Sequence, residues 1–294
     1  MIVEPGDSGV ALVKAIRMAK TSVHMTMYLL SSQAVIDALI DRQKAGLDVR
    51  VILNQRFNPG LSNNNNDEFA VLAAAGVKVV WAPSHFSLTH QKSVILDGKT
   101  AWIMTMNATT AALKSNREFL VVATLPKVVA DAEAVFEGDF AGTPISTYAG
   151  SLVVSPLNAK STIHDLLSGA KKTIDLEDEE ISDANTIATL KSAAARGVAI
   201  RVVMSDAMES PAGKAATDQL TLSGIPVRIV TKPYIHAKAF VVDGKTAFVG
   251  SQNLTHASLA SNREMGLVFT AKKAVATVAA TIASDFSSTF SKAL

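Results

Sequence analysis

The sequence predicts an α/β protein made of two similar halves, each built around a mixed or parallel sheet. Three observations predict it. Residues 90–118, HQKSVILDGKTAWIMTMNATTAALKSNRE, align without a gap on residues 236–264, HAKAFVVDGKTAFVGSQNLTHASLASNRE, with 15 of 29 positions identical. Helical patterns alternate with short β-branched runs, as α/β units require. Asp97-Gly98 and Asp243-Gly244 each separate two apolar runs, the signal of a tight hairpin.

Taken in order, the first half offers helical patterns at 9–20, 32–45 and 67–75, with strand runs at 49–53 and 77–81 between and after them. The hairpin follows, with His90 and Lys92 on its first strand and Asn107 just past its second. The upstream segments recur too: AKTSVHMTMYLLSS (19–32) matches AKKTIDLEDEEISD (170–183), and KAGLDVRVILN (44–54) matches ARGVAIRVVMS (195–205). The halves are expected to span 1–146 and 147–294, joined through the Gly-, Pro- and Ser-containing FAGTPISTYAGS (140–151). The terminal run AVATVAATIASDFSSTF reads as an amphipathic helix packed on the sheet rather than docked on a membrane.

Composition narrows the function classes. With 294 residues and 48% hydrophobic content the chain can bury a large core. A formal charge of +2 and no basic run longer than two residues disfavour a dedicated nucleic-acid binder. The absence of cysteine excludes thiolate metal sites, disulfides and cysteine nucleophiles, and fits either redox compartment. No apolar stretch reaches the roughly 20 residues of a membrane span. The chain as given is expected to be soluble and monomeric, with the compartment open, including secretion after loss of a leader ahead of residue 1.

Two residues at alternate positions share one face of a strand, so His236 and Lys238 would be costly in a buried strand unless something meets them. Their duplication as His90 and Lys92, with Asn107/Asn253 and Glu118/Glu264 at matched spacing, makes an incidental exposed edge a poor explanation. Two copies of His-x-Lys, each with an Asp five residues after the Lys and the second with Gly-Ser-x-Asn, resemble the phospholipase D superfamily over the full chain in pattern. The resemblance implies a pseudo-twofold αβα sandwich in which the two motifs meet in one active site at the interface of the halves.

The residue types suit phosphodiester chemistry. A neutral imidazole can attack phosphorus and form a phosphohistidine, while a second, protonated imidazole supplies the leaving oxygen's proton. By resemblance His90 is assigned as nucleophile and His236 as general acid, then base; the reverse order stays open. Lys92, Lys238, Asn107, Asn253 and the hydroxyls of Thr105 and Ser251 can hold the anionic oxygens with no metal or other cofactor. Glu118 and Glu264 can each orient a histidine, a role the resemblance also implies. Asp97 and Asp243 complete the motif and count with the catalytic set, although Asp before Gly suits a turn by itself. Where the second half has Gly250-Ser251 the first has Met104-Thr105, which is expected to make the halves chemically unequal.

The acidic run 175–180 can be read as a divalent-metal site. The preferred reading is that Glu177 and Glu179 wall the pocket, because the resemblance implies that this strand runs beside the motif strands, and suit a cationic headgroup. The unmatched histidines His24, His85, His164 and His256 are expected to be ordinary surface or core residues, with His85 the one that could line an entrance. SNNNND (62–67) is expected to form a rim shaping access. The expected function is a phosphodiesterase acting on glycerophospholipids at a membrane or micelle surface, by hydrolysis and by transfer to an alcohol. The alternatives are a nuclease of the same superfamily, or a non-catalytic phosphate-binding protein.

Overall fold

A computed structural model describes residues 1–55, 64–205 and 211–293. The first half runs β1 (Ile2–Glu4), α1 (Val10–Met18), β2 (Ser22–Met27), α2 (Gln33–Lys44), β3 (Asp48–Leu53), α3 (Asn66–Ala74), β4 (Lys78–Trp81), β5 (Lys92–Leu96), β6 (Thr100–Met104), α4 (Thr110–Lys114), β7 (Asn116–Ala123) and α5 (Pro126–Phe140). The second runs β8 (Leu152–Ser155), α6 (Ala159–Ser168), β9 (Thr173–Asp178), α7 (Ala184–Ala195), β10 (Ala199–Ser205), α8 (Pro211–Leu222), β11 (Val227–Val230), β12 (Tyr234–Ile235), β13 (Lys238–Val242), β14 (Thr246–Gly250), α9 (His256–Ala260), β15 (Glu264–Phe269), α10 (Lys272–Phe286) and β16 (Ser291–Ala293).

The two sheets share one topology. The first is ordered β1-β7-β6-β5-β2-β3-β4 and the second β8-β15-β14-β13-β9-β10-β11, with β16 added at its far edge. In each, three strands joined through helices run parallel (β2-β3-β4; β9-β10-β11), and the first hairpin strand (β5; β13) pairs antiparallel with the first of them. The sheets are therefore mixed, and the elements of the halves follow the same order apart from the added β12 and β16 of the second. Asp97, Gly98, Asp243 and Gly244 all have positive φ, the backbone that a two-residue Asp-Gly turn needs.

Three apolar layers hold the molecule together. One outer core lies between the first sheet and α1–α3, and a second between the other sheet and α6–α8. The third contains the inner faces of both sheets (Ile95, Ile103 and Val121 with Val241, Val249 and Leu267) together with α5 and α10. The terminal run thus supplies α10, whose Val275, Val278 and Ile282 are buried in that shared core. No helix or strand lies between Phe140 and Leu152, where the connector was expected.

Backbone pairing across the halves positions the motifs. β12 pairs in parallel with Asn116 and Arg117 of β7, and the amide of His236 donates to the Arg117 carbonyl. In the matching place Thr89 bridges Arg263, and the amides of His90 and Gln91 donate to the Arg263 carbonyl. Each histidine is therefore tied to the residue that precedes the glutamate of the opposite half.

Arg117 and Arg263 lock this crossing. Arg117 donates through Nε and Nη2 to Asp285 of α10 (2.6 and 2.9 Å) and through Nη1 to the Glu4 carbonyl. Arg263, fully buried, donates to Asp139 of α5 (2.9 Å) and lies 4.2 Å over the Phe86 ring. Burial pushes the Asp139 carboxyl up to about 6 even against Arg263.

Candidate active site

The site sits where β5 and β13 begin, at one end of both hairpins, and its central feature is a crossed pairing. Nδ1 of His90 hydrogen-bonds both oxygens of Glu264 (3.1 and 3.0 Å). Nδ1 of His236 lies 2.7 Å from Oε1 of Glu118. Each imidazole thus has its Nδ1 against the other half's carboxylate, hydrogen-bonded for His90 and in close charge contact without hydrogen-bond geometry for His236, which leaves Nε2 as the nitrogen for chemistry. Both glutamates are fully buried.

The lysines are fully buried as well, and each donates back to the carbonyl of its own histidine: Lys92 Nζ to His90 O and Lys238 Nζ to His236 O, both 2.5 Å. Buried ammonium groups require nearby negative charge, supplied here by Glu118, Glu264 and Glu179. Burial and the charges of Lys92 and Lys238 lower His90 to about 4, against the opposing pull of Glu264. Burial and Lys238 lower Lys92 to about 7, with the three glutamates opposing. Although burial disfavours its ionised form, Glu264 is held below the usual carboxylate range by His90 and Lys92. A neutral His90 with an unprotonated Nε2 is a competent nucleophile.

Thr105 and Ser251 are fully buried against protein groups rather than open to a ligand. Thr105 Oγ1 donates to Glu118 Oε2 (2.5 Å) and accepts from the Phe119 amide (2.9 Å), while Ser251 Oγ accepts from the Met265 amide (3.1 Å). These hydroxyls are placed to set the glutamates and the strands that carry them. Asn107 and Asn253 follow the ends of β6 and β14, and the Oδ1 of each has no hydrogen-bond partner.

Asp97 and Asp243 lie at the opposite end of β5 and β13, five residues beyond the lysines, a span of about 16 Å at ~3.3 Å per residue. Oδ1 of Asp97 accepts from the amides of Lys20, Thr21 and Ser22, and Oδ1 of Asp243 from those of Lys171, Lys172 and Thr173. They staple each hairpin turn to the loop entering β2 or β9 and stand apart from the histidines. Glu177 is also outside the cleft: it is fully buried beside Asp285, Arg117 and Asp178, and burial pushes its carboxyl well up.

Glu179 does reach the site. Its Oε2 accepts from Lys238 Nζ (2.7 Å) and lies 3.6 Å from His236 Nε2, while Oε1 accepts from the Tyr234 hydroxyl (2.8 Å). The matching residue in the first half is Tyr28, whose ring meets His90 edge-on at 4.7 Å with Lys92 Nζ 5.0 Å from its centroid. Tyr28, Tyr234, Arg117, Arg263, Asp139 and Asp285 were not singled out from the sequence. For the two arginines a signal existed, because Asn-Arg-Glu is identical in both copies. Tyr28 and Tyr234 differ from their counterparts Glu179 and Leu88, so duplication hides them.

The Met104/Gly250 exchange is a packing difference. A Cβ at Gly250 would meet the Gly266 Cα at 2.6 Å and the Phe248 ring at 2.8 Å, whereas Met104 is buried in the outer core beside α1 and α2. The expected inequality of the halves arises instead from Tyr28 and Glu179.

Among the described residues, one group can bring three ligand atoms together, His24, Glu133 and Glu137, and it lies outside the cleft. Its atoms are engaged in ion pairs: His24 with Glu133 (2.8 Å) and Asp48, and Arg50 with Asp48 and Glu137. His85 is exposed and stacks on Phe86, and His164 lines an outer groove between α6 and α7. Part of SNNNND lies outside the described residues. Its Asn65 is buried, donating to the carbonyls of Tyr28 and Asn54 and accepting from the Leu30 amide, so it fixes the end of β2 beside Tyr28. Among the described residues no helix is long and apolar enough to cross a membrane.

Two His-x-Lys motifs, closed on one cleft by glutamates exchanged between similar halves, mark the phospholipase D superfamily. The family model described as "Cardiolipin synthase, PLD-like domain" matches residues 12–140 and 163–288, and the chain belongs to this family. It is 24% identical over 317 residues to the Bacillus subtilis protein named "Probable cardiolipin synthase YwiE", covering 93% of this chain and 63% of that one. The chain therefore spans less than two thirds of that relative's length. Its fold resembles a phosphatidylserine synthase from Haemophilus influenzae (TM-score 0.71, 15% identity, 97% of this chain and 85% of that one). It also resembles a polyphosphate kinase from Porphyromonas gingivalis (TM-score 0.78, 16% identity, all of this chain and 48% of that one).

Proposed function

We propose that this cleft breaks a phosphodiester of a glycerophospholipid and transfers the phosphatidyl group to an alcohol or to water. The observation that carries the reading is the crossed pairing of His90 with Glu264 and His236 with Glu118, which gathers two imidazoles and two ammonium groups at one junction of the halves. Neutral His90 attacks phosphorus, and His236, its Nδ1 against Glu118, protonates the leaving oxygen. His236 then takes the proton from the incoming hydroxyl as that oxygen displaces His90. Lys92 and Lys238 balance the charge that builds on the phosphoryl oxygens. The matched relative's name denotes making a phospholipid rather than degrading one, which favours transfer over hydrolysis and a lipid over a nucleic-acid substrate. The amines and amides of the cleft can serve the phosphate without a divalent ion, so activity on a soluble short-chain lipid should survive EDTA.

The test is a rapid acid or base quench with a lipid labelled at phosphorus. The reading expects acid-labile label on the peptide containing His90 and, when glycerol is present, a new phosphodiester formed at the expense of phosphatidate. Label on the His236 peptide alone would reverse the two roles. Inversion of configuration at phosphorus with no adduct would reject the covalent route.

A further inference from the structure

We infer that Glu179 is a built-in stand-in for the substrate's phosphoryl group, whose carboxylate must leave Lys238 before a phosphodiester can seat on the second motif. This rests on the cleft being a phosphodiester site and adds a competing group within it. The carboxylate occupies the place a phosphate would take, with one oxygen on the ammonium of Lys238 and 3.6 Å from His236 Nε2, the nitrogen that must face the leaving oxygen. Its other oxygen is anchored by Tyr234, on the strand β12 that reaches across to β7.

The first half shows the same seat without an anion. Tyr28 offers Lys92 a ring face, and among the described residues Lys92 Nζ hydrogen-bonds only the His90 carbonyl. Lys92 thus has no carboxylate in hydrogen-bond contact, while Lys238 is already taken by Glu179. With Glu179 in place, three carboxylates (Glu118, Glu264, Glu179) already surround the cations of the cleft, so an incoming anion must compete with Glu179 for Lys238. Glu118 and Glu264 are fully buried and committed to the histidines. Glu179 keeps 21% of its side chain exposed and has solvent to swing into. Rotating it away transfers Lys238 from the internal carboxylate to the substrate, and bound phosphate and bound Glu179 exclude each other.

The experiment is a calorimetric titration with inorganic phosphate, which needs no turnover and so separates this inference from the catalytic reading. Glu179→Gln keeps the shape and removes the charge, and should bind phosphate about tenfold more tightly or better, since a like charge within ~4 Å in a desolvated site is removed. Tyr234→Phe loosens the anchor and should gain less. Asp218→Asn makes the same change of net charge on an exposed helix and should gain nothing. Adding Lys238→Met to the Glu179→Gln protein should abolish the gain. Unchanged or weaker phosphate binding by folded Glu179→Gln, including none measurable, overturns the inference. A gain that survives Lys238→Met, or is matched by Asp218→Asn, overturns it too and removes support for the cleft as the phosphate seat.

Discussion

At the end of β2 the chain sets Tyr28 against His90 and Lys92; at the end of β9 it sets Glu179 against His236 and Lys238. Three features around the imidazoles are duplicated: the lysine that donates to its own histidine's carbonyl, the glutamate from across the interface, and the arginine that ties that glutamate's strand to a helix of the other half. The duplication thus preserves this polar frame, and the cap on each motif is where the two differ. An aromatic ring adds to the desolvation that keeps His90 neutral.

The strongest way to break this comparison is to remove either imidazole. His90→Ala and His236→Ala should each cut turnover on a soluble short-chain phospholipid by about a thousandfold or more, and the double variant should lose little beyond the single ones, because members of one catalytic unit do not act independently. Substantial turnover in either folded single variant would separate the motifs into two sites.

The interlocked arginines give the next effect, read as stability. Arg263 is fully buried and its removal leaves Asp139 without its cation, so Arg263→Ala should cost about 3–5 kcal/mol in urea unfolding. Arg117 keeps 15% side-chain exposure, and its loss should cost less. Equal costs would show that the two interlocks are equivalent despite their different burial.

The pH profile of kcat/KM sharpens the contrast further. On the proposed mechanism His90 attacks as the neutral imidazole, and since it is lowered to about 4, activity should rise as pH climbs through about 4. Because Lys92 is lowered to about 7 and holds phosphate only when protonated, activity should fall as pH rises through about 7. Lys92→Arg stays charged and should extend the alkaline limb, even if turnover drops through altered geometry. An alkaline limb unchanged by that substitution would assign it to another group.

The smallest effect is expected where the halves agree most closely. Asp97→Asn and Asp243→Asn should each lower stability by about 1 kcal/mol through weakened amide bonds at the turns, with kcat unaltered. A large loss of kcat in a stable variant would return these residues to the catalytic set.

Much of the architecture was legible in the sequence because its signals are local or repeated. Helices expected at 9–20, 32–45 and 67–75 occur as Val10–Met18, Gln33–Lys44 and Asn66–Ala74, and the Asp-Gly pairs turn as their chemistry requires. The gapless repeat made His90, Lys92, Asn107 and Glu118 visible by equating each with its copy. Tertiary structure decided what repetition cannot express. Which glutamate serves which histidine depends on strands more than a hundred residues apart crossing at Arg117 and Arg263. Whether Glu177 or Glu179 meets the cleft depends on where β9 ends: Glu177 pairs with Ala239 inside the sheet, and Glu179 lies just past the last strand residue. Spacing within one strand is a property of the chain, but proximity to the other half's charges arises only when two faces are buried together, and that proximity sets the protonation of His90 and the partner of Lys238.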